Sequence, residues 1–257
     1  MSFRNYLRTV KQQLRKAQAL GIPIVRPEII ATIPHDTKAF TQGLFLHEDK
    51  LYESTGLKRK SSLRVVDKKS GKLEQIIPVE SVFAEGIARL NSRIYQLTWT
   101  ARIVLVYDFQ SLEMIDTLCN INNGWGLTSD GEYLIVSNGS SVIEFRNECF
   151  ELVKSIKIRM NGLPLRLIND LAFFQGKLYF NVYRDFRIYE ADVETGRVLC
   201  VFDLGDIAKQ EYDSMPVLIN GISREEAMLN GIAIDKEAGI AYLTGKFWSN
   251  YYQIELR

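Results

Sequence analysis

A five-fold internal repeat is the feature of this sequence that most constrains its fold. In each copy a polar or aromatic residue precedes a small residue, which is followed by an apolar run, a turn and a second apolar run. The small residues stand at positions 43, 86, 126, 170 and 231, at intervals of 43, 40, 44 and 61 residues. A period of about 40 to 45 residues is typical of one four-stranded β-propeller blade. The sequence therefore predicts an all-β, five-bladed β-propeller over residues 27–257.

The polar or aromatic residue of each copy gives the first indication of a functional site. Equivalent positions of propeller repeats surround one axis, so these five residues are expected around the central channel. They are Gln42, Glu85, Trp125, Asn169 and Asn230. One carboxylate, three amides and one indole can form a polar pocket, or they can satisfy backbone groups at the ends of strands. The recurrence of all five favours the pocket.

The fourth interval is the longest because it contains a polar insertion, residues 203–226. Connections of this length are often functional lids. A propeller must also close its ring. The β-like run at residues 28–33 is predicted to do so by adding a strand to the blade that ends with residues 252–256.

The first 26 residues differ from the rest, since they contain six basic residues and no acidic residue precedes Glu28. Their apolar residues recur at helical spacing, and Gly21 and Pro23 would end the helix. We predict a short, basic, amphipathic helical arm over residues 1–26, ahead of the propeller domain. Three roles remain open for this arm: packing on the propeller, docking to a partner or a membrane surface, and organelle targeting.

Composition limits the classes of function. The 32 basic and 31 acidic residues balance, so nucleic acid is not an expected partner. The chain shows neither a membrane-spanning apolar stretch nor a secretory signal, which predicts no integral membrane segment and a cytoplasmic location. His35 and His47 lack the spacing of a zinc site. Cys119, Cys149 and Cys200 form no paired motif and are predicted to be small buried hydrophobic residues.

Eight segments in and near the repeats match one enzyme family in order and spacing. Two of them are Phe83-Ala84-Glu85-Gly86 and Gly124-Trp125-Gly126-Leu127-Thr128. The others are residues 40–44, 52–56, 62–64, 97–99, 230–233 and 244–248. Over the whole propeller the sequence therefore resembles the plant and bacterial type of glutaminyl cyclase. The resemblance implies an aminoacyltransferase that converts the N-terminal glutamine of peptides or proteins to pyroglutamate, releases ammonia and requires no cofactor.

The resemblance also implies roles for individual residues. The catalytic carboxylate falls on Glu85, and the catalytic amide and lysine fall on Asn169 and Lys246. The residues implied or expected to bind substrate are Phe40, Gln42, Phe83, Trp99, Trp125, Tyr183 and Asn230. Two positions depart from the family pattern: Tyr183 replaces a tryptophan, and Asp170 stands where a glutamate is usual. We expect Trp248 to be a packing residue and Glu53 to bind loop backbone.

These residue types suit the chemistry of cyclisation. Glu85 can accept the proton of the substrate α-amine and return it to the departing ammonia. Asn169, an indole N–H or Lys246 can stabilise the negative charge on the amide oxygen. Two alternatives remain: a calcium-dependent propeller lactonase with Glu85, Asn169 and Asn230 as ligands, and a propeller that binds without catalysis.

Overall fold

The molecule is a ring of five β-sheets, which confirms the predicted all-β, five-bladed propeller. A computed structural model describes residues 21–219 and 221–256. Most of the predicted helical arm, residues 1–20, lies outside the described residues. Two strands precede the first blade, namely β1 (Ile24–Val25) and β2 (Ile29–Pro34).

Each blade is an antiparallel meander that begins at the propeller axis. The first blade consists of β3 (Thr41–His47), β4 (Lys50–Thr55), β5 (Ser61–Asp67) and β6 (Leu73–Val79). The second consists of β7 (Ala84–Leu90), β8 (Arg93–Thr98), β9 (Ile103–Asp108) and β10 (Met114–Cys119). The third consists of β11 (Leu127–Ser129), β12 (Leu134–Val136), β13 (Val142–Arg146) and β14 (Leu152–Lys157).

A small hairpin, β15 (Arg159–Met160) and β16 (Leu163–Pro164), leads to the last two blades. The fourth blade consists of β17 (Ile168–Phe174), β18 (Lys177–Val182), β19 (Arg187–Asp192) and β20 (Val198–Asp203), with β1 added in parallel to β20. The insertion follows, with helix α1 (Gly205–Ser214), the hairpin β21 (Leu218–Ile219) and β22 (Ile222–Ser223), and a 3₁₀ turn (Arg224–Glu226). The fifth blade contains β23 (Leu229–Asp235), β24 (Ile240–Gly245) and β25 (Asn250–Glu255).

The core lies between adjacent blades. Inner strands such as β3 and β4 are buried along most of their length, because blades cover both of their faces, whereas the outer strand β6 is largely exposed. In one cluster Leu63 of the first blade packs with Ile94 and Tyr107 of the second. This arrangement explains why the strands read as short continuous apolar runs.

The ring closes as the sequence predicts. Strand β2 pairs antiparallel with β25 in the fifth blade, with Ile33 opposite Tyr251. Directly after β2, His35 joins the fifth blade to the first: its Nδ1 lies 2.7 Å from the carbonyl oxygen of Trp248, and its Nε2 lies 2.9 Å from Oε1 of Glu53. The expectation that Glu53 binds loop backbone is therefore wrong, because its Oε1 is held by the side chains of His35 and Thr41.

Other expectations concern single residues and segments. Cys119 and Cys149 are exposed and Cys200 is only partly buried, so the prediction of three buried cysteines is wrong. The reason is their position, since Cys119 ends the outer strand β10 and Cys149 lies in a turn.

Trp248 is buried, as expected of a packing residue, and its indole N–H donates to the carbonyl oxygen of Ala227. Within the described residues, no helix has the length and apolar character needed to cross a membrane.

Candidate active site

The inner strands share an irregularity that explains the repeated motif. The pairing register shifts between Thr41 and Gly43 in β3 and at the equivalent points of β7, β17 and β23. A bulge of this kind leaves a residue outside the ladder and turns its side chain. The residues left out include Gln42, Glu85, Asn169 and Asn230. In the third blade, Trp125 lies just before β11, which begins at Leu127.

The small residues of the repeat allow the inner strands to approach one another at the axis. A Cβ atom on Gly43 would lie 2.8 Å from the Cα of Gly86, and one on Gly126 would lie 1.9 Å from the carbonyl oxygen of Asn169. Glycine is therefore required at these positions. Asp170 occupies the equivalent position of the fourth blade, where it is buried and accepts a hydrogen bond from the backbone N–H of Ile232 at 2.8 Å. Its carboxylate thus links two inner strands.

A cavity of about 300 Å³ opens at this end of the inner strands. Its lining residues are Phe40, Gln42, Phe83, Glu85, Trp99, Trp125, Asn169, Tyr183, Glu226 and Lys246. Nine of the ten residues that sequence reasoning selected are in this set. Asn230 lies behind the wall, and Glu226 was not anticipated. Residues from all five blades and from the insertion therefore meet in one pocket.

Aromatic rings form the walls of the pocket. The ring of Phe83 meets those of Phe40 and Trp99 edge to face, with centroids 6.2 and 5.7 Å apart. On another side the rings of Trp125 and Tyr183 meet in the same way, 6.0 Å apart. Trp99 is 44% exposed and stands at the mouth. The pocket can therefore enclose the aliphatic part of a small side chain while remaining open to a longer ligand.

Glu85 and Lys246 are the buried ionisable pair of the pocket. Burial raises the pKa of Glu85 well above its ordinary value, Lys246 opposes this rise and Asp170 adds to it. Burial lowers the pKa of Lys246, whereas the carboxylates of Glu85 and Glu226 raise it. The Lys246 ammonium lies 4.6 Å from the ring centroid of Phe40. Burial thus moves both pKa values in the direction that favours the uncharged forms, as is common for groups that exchange protons in active sites.

A chain of carboxamides sets the orientation of the amide side chains. Asn230 is fully buried, and its Nδ2 donates to the backbone carbonyl of Thr41 at 2.9 Å. A carbonyl oxygen can only accept, so the two ends of the Asn230 amide are assigned without ambiguity. Its Nδ2 also donates to Oε1 of Gln42, and its Oδ1 accepts from Nδ2 of Asn169. Gln42 is thereby left with a donor, and Asn169 with an acceptor and one N–H, for the pocket.

Glu226 enters the pocket from the end of the insertion. Its Oε2 accepts from the Tyr183 hydroxyl at 3.2 Å, and its Oε1 accepts from the Arg184 guanidinium at 3.1 Å. The tyrosine that departs from the family pattern therefore has a specific partner, since an indole in its place has no hydroxyl to donate. Sequence reasoning identified the insertion but had no repeat or motif with which to select Glu226.

The calcium alternative finds no support in this geometry. Asn230 was one of its three oxygen ligands, and its Oδ1 is already occupied by Asn169. Lys246 places a cation beside Glu85, the only carboxylate of the set. Within residues 21–219 and 221–256, no three His, Cys, Asp or Glu side chains are grouped so that they could hold a metal ion.

Comparisons with known proteins agree with the resemblance seen in the sequence. The glutamine cyclotransferase family model matches residues 5–256. A glutaminyl-peptide cyclotransferase of Arabidopsis thaliana is 32% identical over 234 residues, which cover 90% of this chain and 71% of that protein. The crystal structure of Myxococcus xanthus glutaminyl cyclase superposes with a TM-score of 0.83 at 30% identity, covering 91% of this chain and 97% of that one. The chain belongs to the glutamine cyclotransferase family.

Proposed function

We propose that this pocket catalyses cyclisation of the N-terminal glutamine of peptides, with Glu85 transferring the proton. The reaction class is that of the family, a glutaminyl-peptide cyclotransferase. The observation that supports the assignment of roles is the burial of Glu85 beside Lys246 in an aromatic pocket. Neither charged group makes a hydrogen bond to another described residue, so both are available to a ligand.

One carboxylate can carry out the proton transfers of the reaction. The free α-amine has a pKa of about 7.7 to 8.0, so much of the substrate arrives as an ammonium ion at neutral pH. Glu85 as carboxylate accepts a proton from that nitrogen, which then attacks the side-chain carboxamide carbon. When the bond to the carboxamide nitrogen breaks, Glu85 returns this proton and ammonia leaves. The ring nitrogen then gives its second surplus proton to the Glu85 carboxylate, which releases it to water or to ammonia. The raised pKa of Glu85 suits this exchange, because it narrows the gap between the acid and the amine.

Two groups can stabilise the oxyanion formed by the attack. The Lys246 ammonium lies at the pocket surface, and Asn169 retains one N–H that Asn230 does not use. In comparable sites, one donor aimed at a developing oxyanion contributes about 3 to 4 kcal/mol. Lys246 is only 5% exposed. Its attraction for the oxyanion is therefore stronger than it would be in water, because little solvent screens the two charges.

The amide polarity set by Asn230 supports selection of glutamine. A carboxamide offers one carbonyl acceptor and one amino donor. Gln42 presents a donor and Asn169 an acceptor to the pocket, which complements both ends of the substrate side chain. The aromatic walls then hold the chain in the conformer that brings its amine to its own carboxamide carbon, which lowers the entropic part of the barrier.

The assignment is tested by incubating the enzyme with a Gln-initiated dipeptide and measuring ammonia release together with the matching mass loss. Glu85→Gln keeps the shape of the side chain but cannot accept the proton, so we expect the rate to fall about 10²- to 10⁴-fold. Glu80→Gln, at an exposed position nearby in sequence, is the matched control and should retain the rate. Absence of activity in the wild type, or equal rates in wild type and Glu85→Gln, would refute the proposal.

A further inference from the structure

A second cavity, of about 410 Å³, lies at the opposite end of the inner strands. The strands begin at the candidate active site with residues such as Glu85, and reach this second cavity at residues such as Arg89 and Lys236. Glu85 and Arg89 are four steps apart along the strand, a distance of about 13 Å. The ring of glycines around Gly43 and Gly86 lies between the two openings. The two cavities are therefore separate sites.

The charge of the second cavity is one-sided. Its lining contains Arg89 and Lys236 but no aspartate or glutamate. In the described part of the chain, neither cation has a carboxylate oxygen within 4.0 Å of its side-chain nitrogens. Burial lowers the pKa of His47, the third basic residue of the lining, Arg89 lowers it further and Glu48 raises it, and the net lowering favours the neutral imidazole. Burial lowers the pKa of Lys236, and the nearby carboxylate of Asp130 raises it. Two basic side chains without a salt bridge to a described carboxylate thus face the same space.

Arg89 is held in place before any ligand arrives. Its guanidinium stacks on Phe109, 3.9 Å from the ring centroid, and its Nε donates to the carbonyl oxygen of Asn91 at 2.9 Å. One Nη1 hydrogen faces the ring of His47. A guanidinium has five N–H groups, so about three remain for a ligand. The Arg89 side chain is therefore already ordered, so ligand binding loses little conformational entropy at this residue.

Carboxylates near this mouth have partners of their own. Asp235 pairs with Lys68 at 3.4 Å, and Asp130 accepts the backbone N–H of Tyr133 at 2.7 Å. Glu148 accepts from the amide of Asn91. Glu48 lies 3.7 Å from His47, with 83% of its side chain exposed to solvent. Asp130 still acts on Lys236 from a distance. None of these four carboxylates forms a salt bridge with Arg89 or Lys236, so both cations remain available to a ligand.

We propose that this second cavity binds a small oxyanion with at least two negative charges, of the phosphate or dicarboxylate class. Arg89 offers a fork of N–H donors suited to such oxygens, and Lys236 offers a point charge. Thr128 and Ser129, also in the lining, carry hydroxyl groups, and that of Ser129 accepts from the backbone N–H of Gly131 at 3.0 Å while keeping its own O–H to donate. The site is distinct from the peptide pocket and does not depend on the cyclase assignment.

Inorganic phosphate and succinate are the probes for this site. Each is titrated by calorimetry and by thermal unfolding at constant ionic strength, with sodium chloride as the reference salt. We expect saturable 1:1 binding of at least one probe, and the better probe identifies the preferred anion geometry. Arg89→Gln and Lys236→Gln should each weaken binding about tenfold. Lys72→Gln, which removes an equal charge from an exposed turn, should leave binding unchanged.

Three results would overturn the proposal. The first is no saturable response to either probe, and the second is unchanged binding in the Arg89→Gln/Lys236→Gln double variant. The third is loss of binding in Lys246→Met, which would place the anion in the peptide pocket. Lys236→Gln alone remains decisive if Arg89→Gln fails to fold. The Lys236 ammonium lies 5.9 Å from the ring centroid of Phe173 and forms no salt bridge among the described residues, so its loss should not unfold the protein.

Discussion

Glu85 and Lys246 regulate each other's protonation within one small pocket. Burial acts on both in the direction of the neutral form, and each partner's charge acts against burial. Neither is tied to the protein by a hydrogen bond among the described residues, so the electrostatic partner has a large share in setting the pKa. The acid limb of the pH profile should report this coupling directly.

We expect the acid limb of kcat/KM to lie above the ordinary glutamate pKa of about 4.3. In the proposed mechanism the working form of Glu85 is the carboxylate, so activity should be present above its raised pKa and be lost as the pH falls through it. Lys246→Met removes the cation that lowers this pKa and should move the limb to higher pH. The measurement is kcat/KM for a Gln-dipeptide between about pH 4 and 9.

The substrate amine titrates equally with both enzymes, so a difference between the two limbs belongs to the protein. Lys72→Met serves as the control, because it removes a positive charge from an exposed turn. A limb that stays in place or moves to lower pH in Lys246→Met contradicts the coupling.

Asn230 is a positioning residue in this scheme. Asn230→Leu keeps the volume but removes the orienting contacts to Gln42 and Asn169, leaving both amides free to rotate. A buried polar group without its partner costs about 1 to 3 kcal/mol, so kcat/KM should fall about ten- to hundred-fold. Because the effect passes through Gln42, Asn230→Leu and Gln42→Ala should be strongly non-additive in a double-mutant cycle. Additive losses would show that Asn230 only stabilises the fold.

Residues of the pocket differ in how far sequence could locate them. Glu85 and Asn169 could be found because the repeat places them at equivalent bulges. Asn230 shares that backbone position, yet its side chain is fully buried between two other amides. The repeat predicts the backbone position of a residue, whereas the direction of its side chain depends on neighbours from other blades.

At the scale of elements, the insertion is attached to the fifth blade by apolar packing, in which Ala208 and Met215 share a cluster with Tyr252, and by a buried carboxylate. Glu211 of α1 accepts from the backbone N–H of Ser249 at 2.8 Å and from the Tyr252 hydroxyl at 2.7 Å. This anchor fixes the start of a segment whose end delivers Glu226 to the pocket. The sequence indicated the insertion because the fourth interval between repeats is the longest. The helix and hairpin within the insertion follow no repeat and could not be predicted.

Glu226→Gln should raise the KM for Gln-initiated peptides more than it changes kcat. The substrate enters with a positive amine, and Glu226 adds a second negative charge to the pocket while holding the Tyr183 hydroxyl. The neighbouring Glu225→Gln, at an exposed position, is the matched control and should leave KM unchanged. Tyr183→Phe separates the two effects, since it breaks the hydrogen bond but keeps the charge. Equal KM values for Glu226→Gln and Glu225→Gln would argue against a role for the insertion in binding.

For the whole molecule, the pocket exists only while the ring is closed. Every blade supplies at least one lining residue, so a displaced blade would separate Glu85 from Asn169 and Lys246. The number of blades and the closing strand could be predicted, because both follow from local pattern repeated along the chain. The contacts that fasten the ring could not, because His35 and Glu53 meet across strands that no short-range pattern relates.

The closing strand β2 offers a matched pair of isoleucines that tests its contribution to stability. Ile33 is 5% exposed and packs in one cluster with Leu44 and Tyr251, whereas Ile30 of the same strand is 48% exposed. Ile33→Ala should lower the free energy of unfolding by about 2 to 5 kcal/mol, because it leaves a cavity between the first and fifth blades. Ile30→Ala should change it by only about 0.5 kcal/mol. Urea unfolding followed by tryptophan fluorescence measures both, and similar losses for the two variants would mean that closure depends on backbone pairing rather than on this side chain.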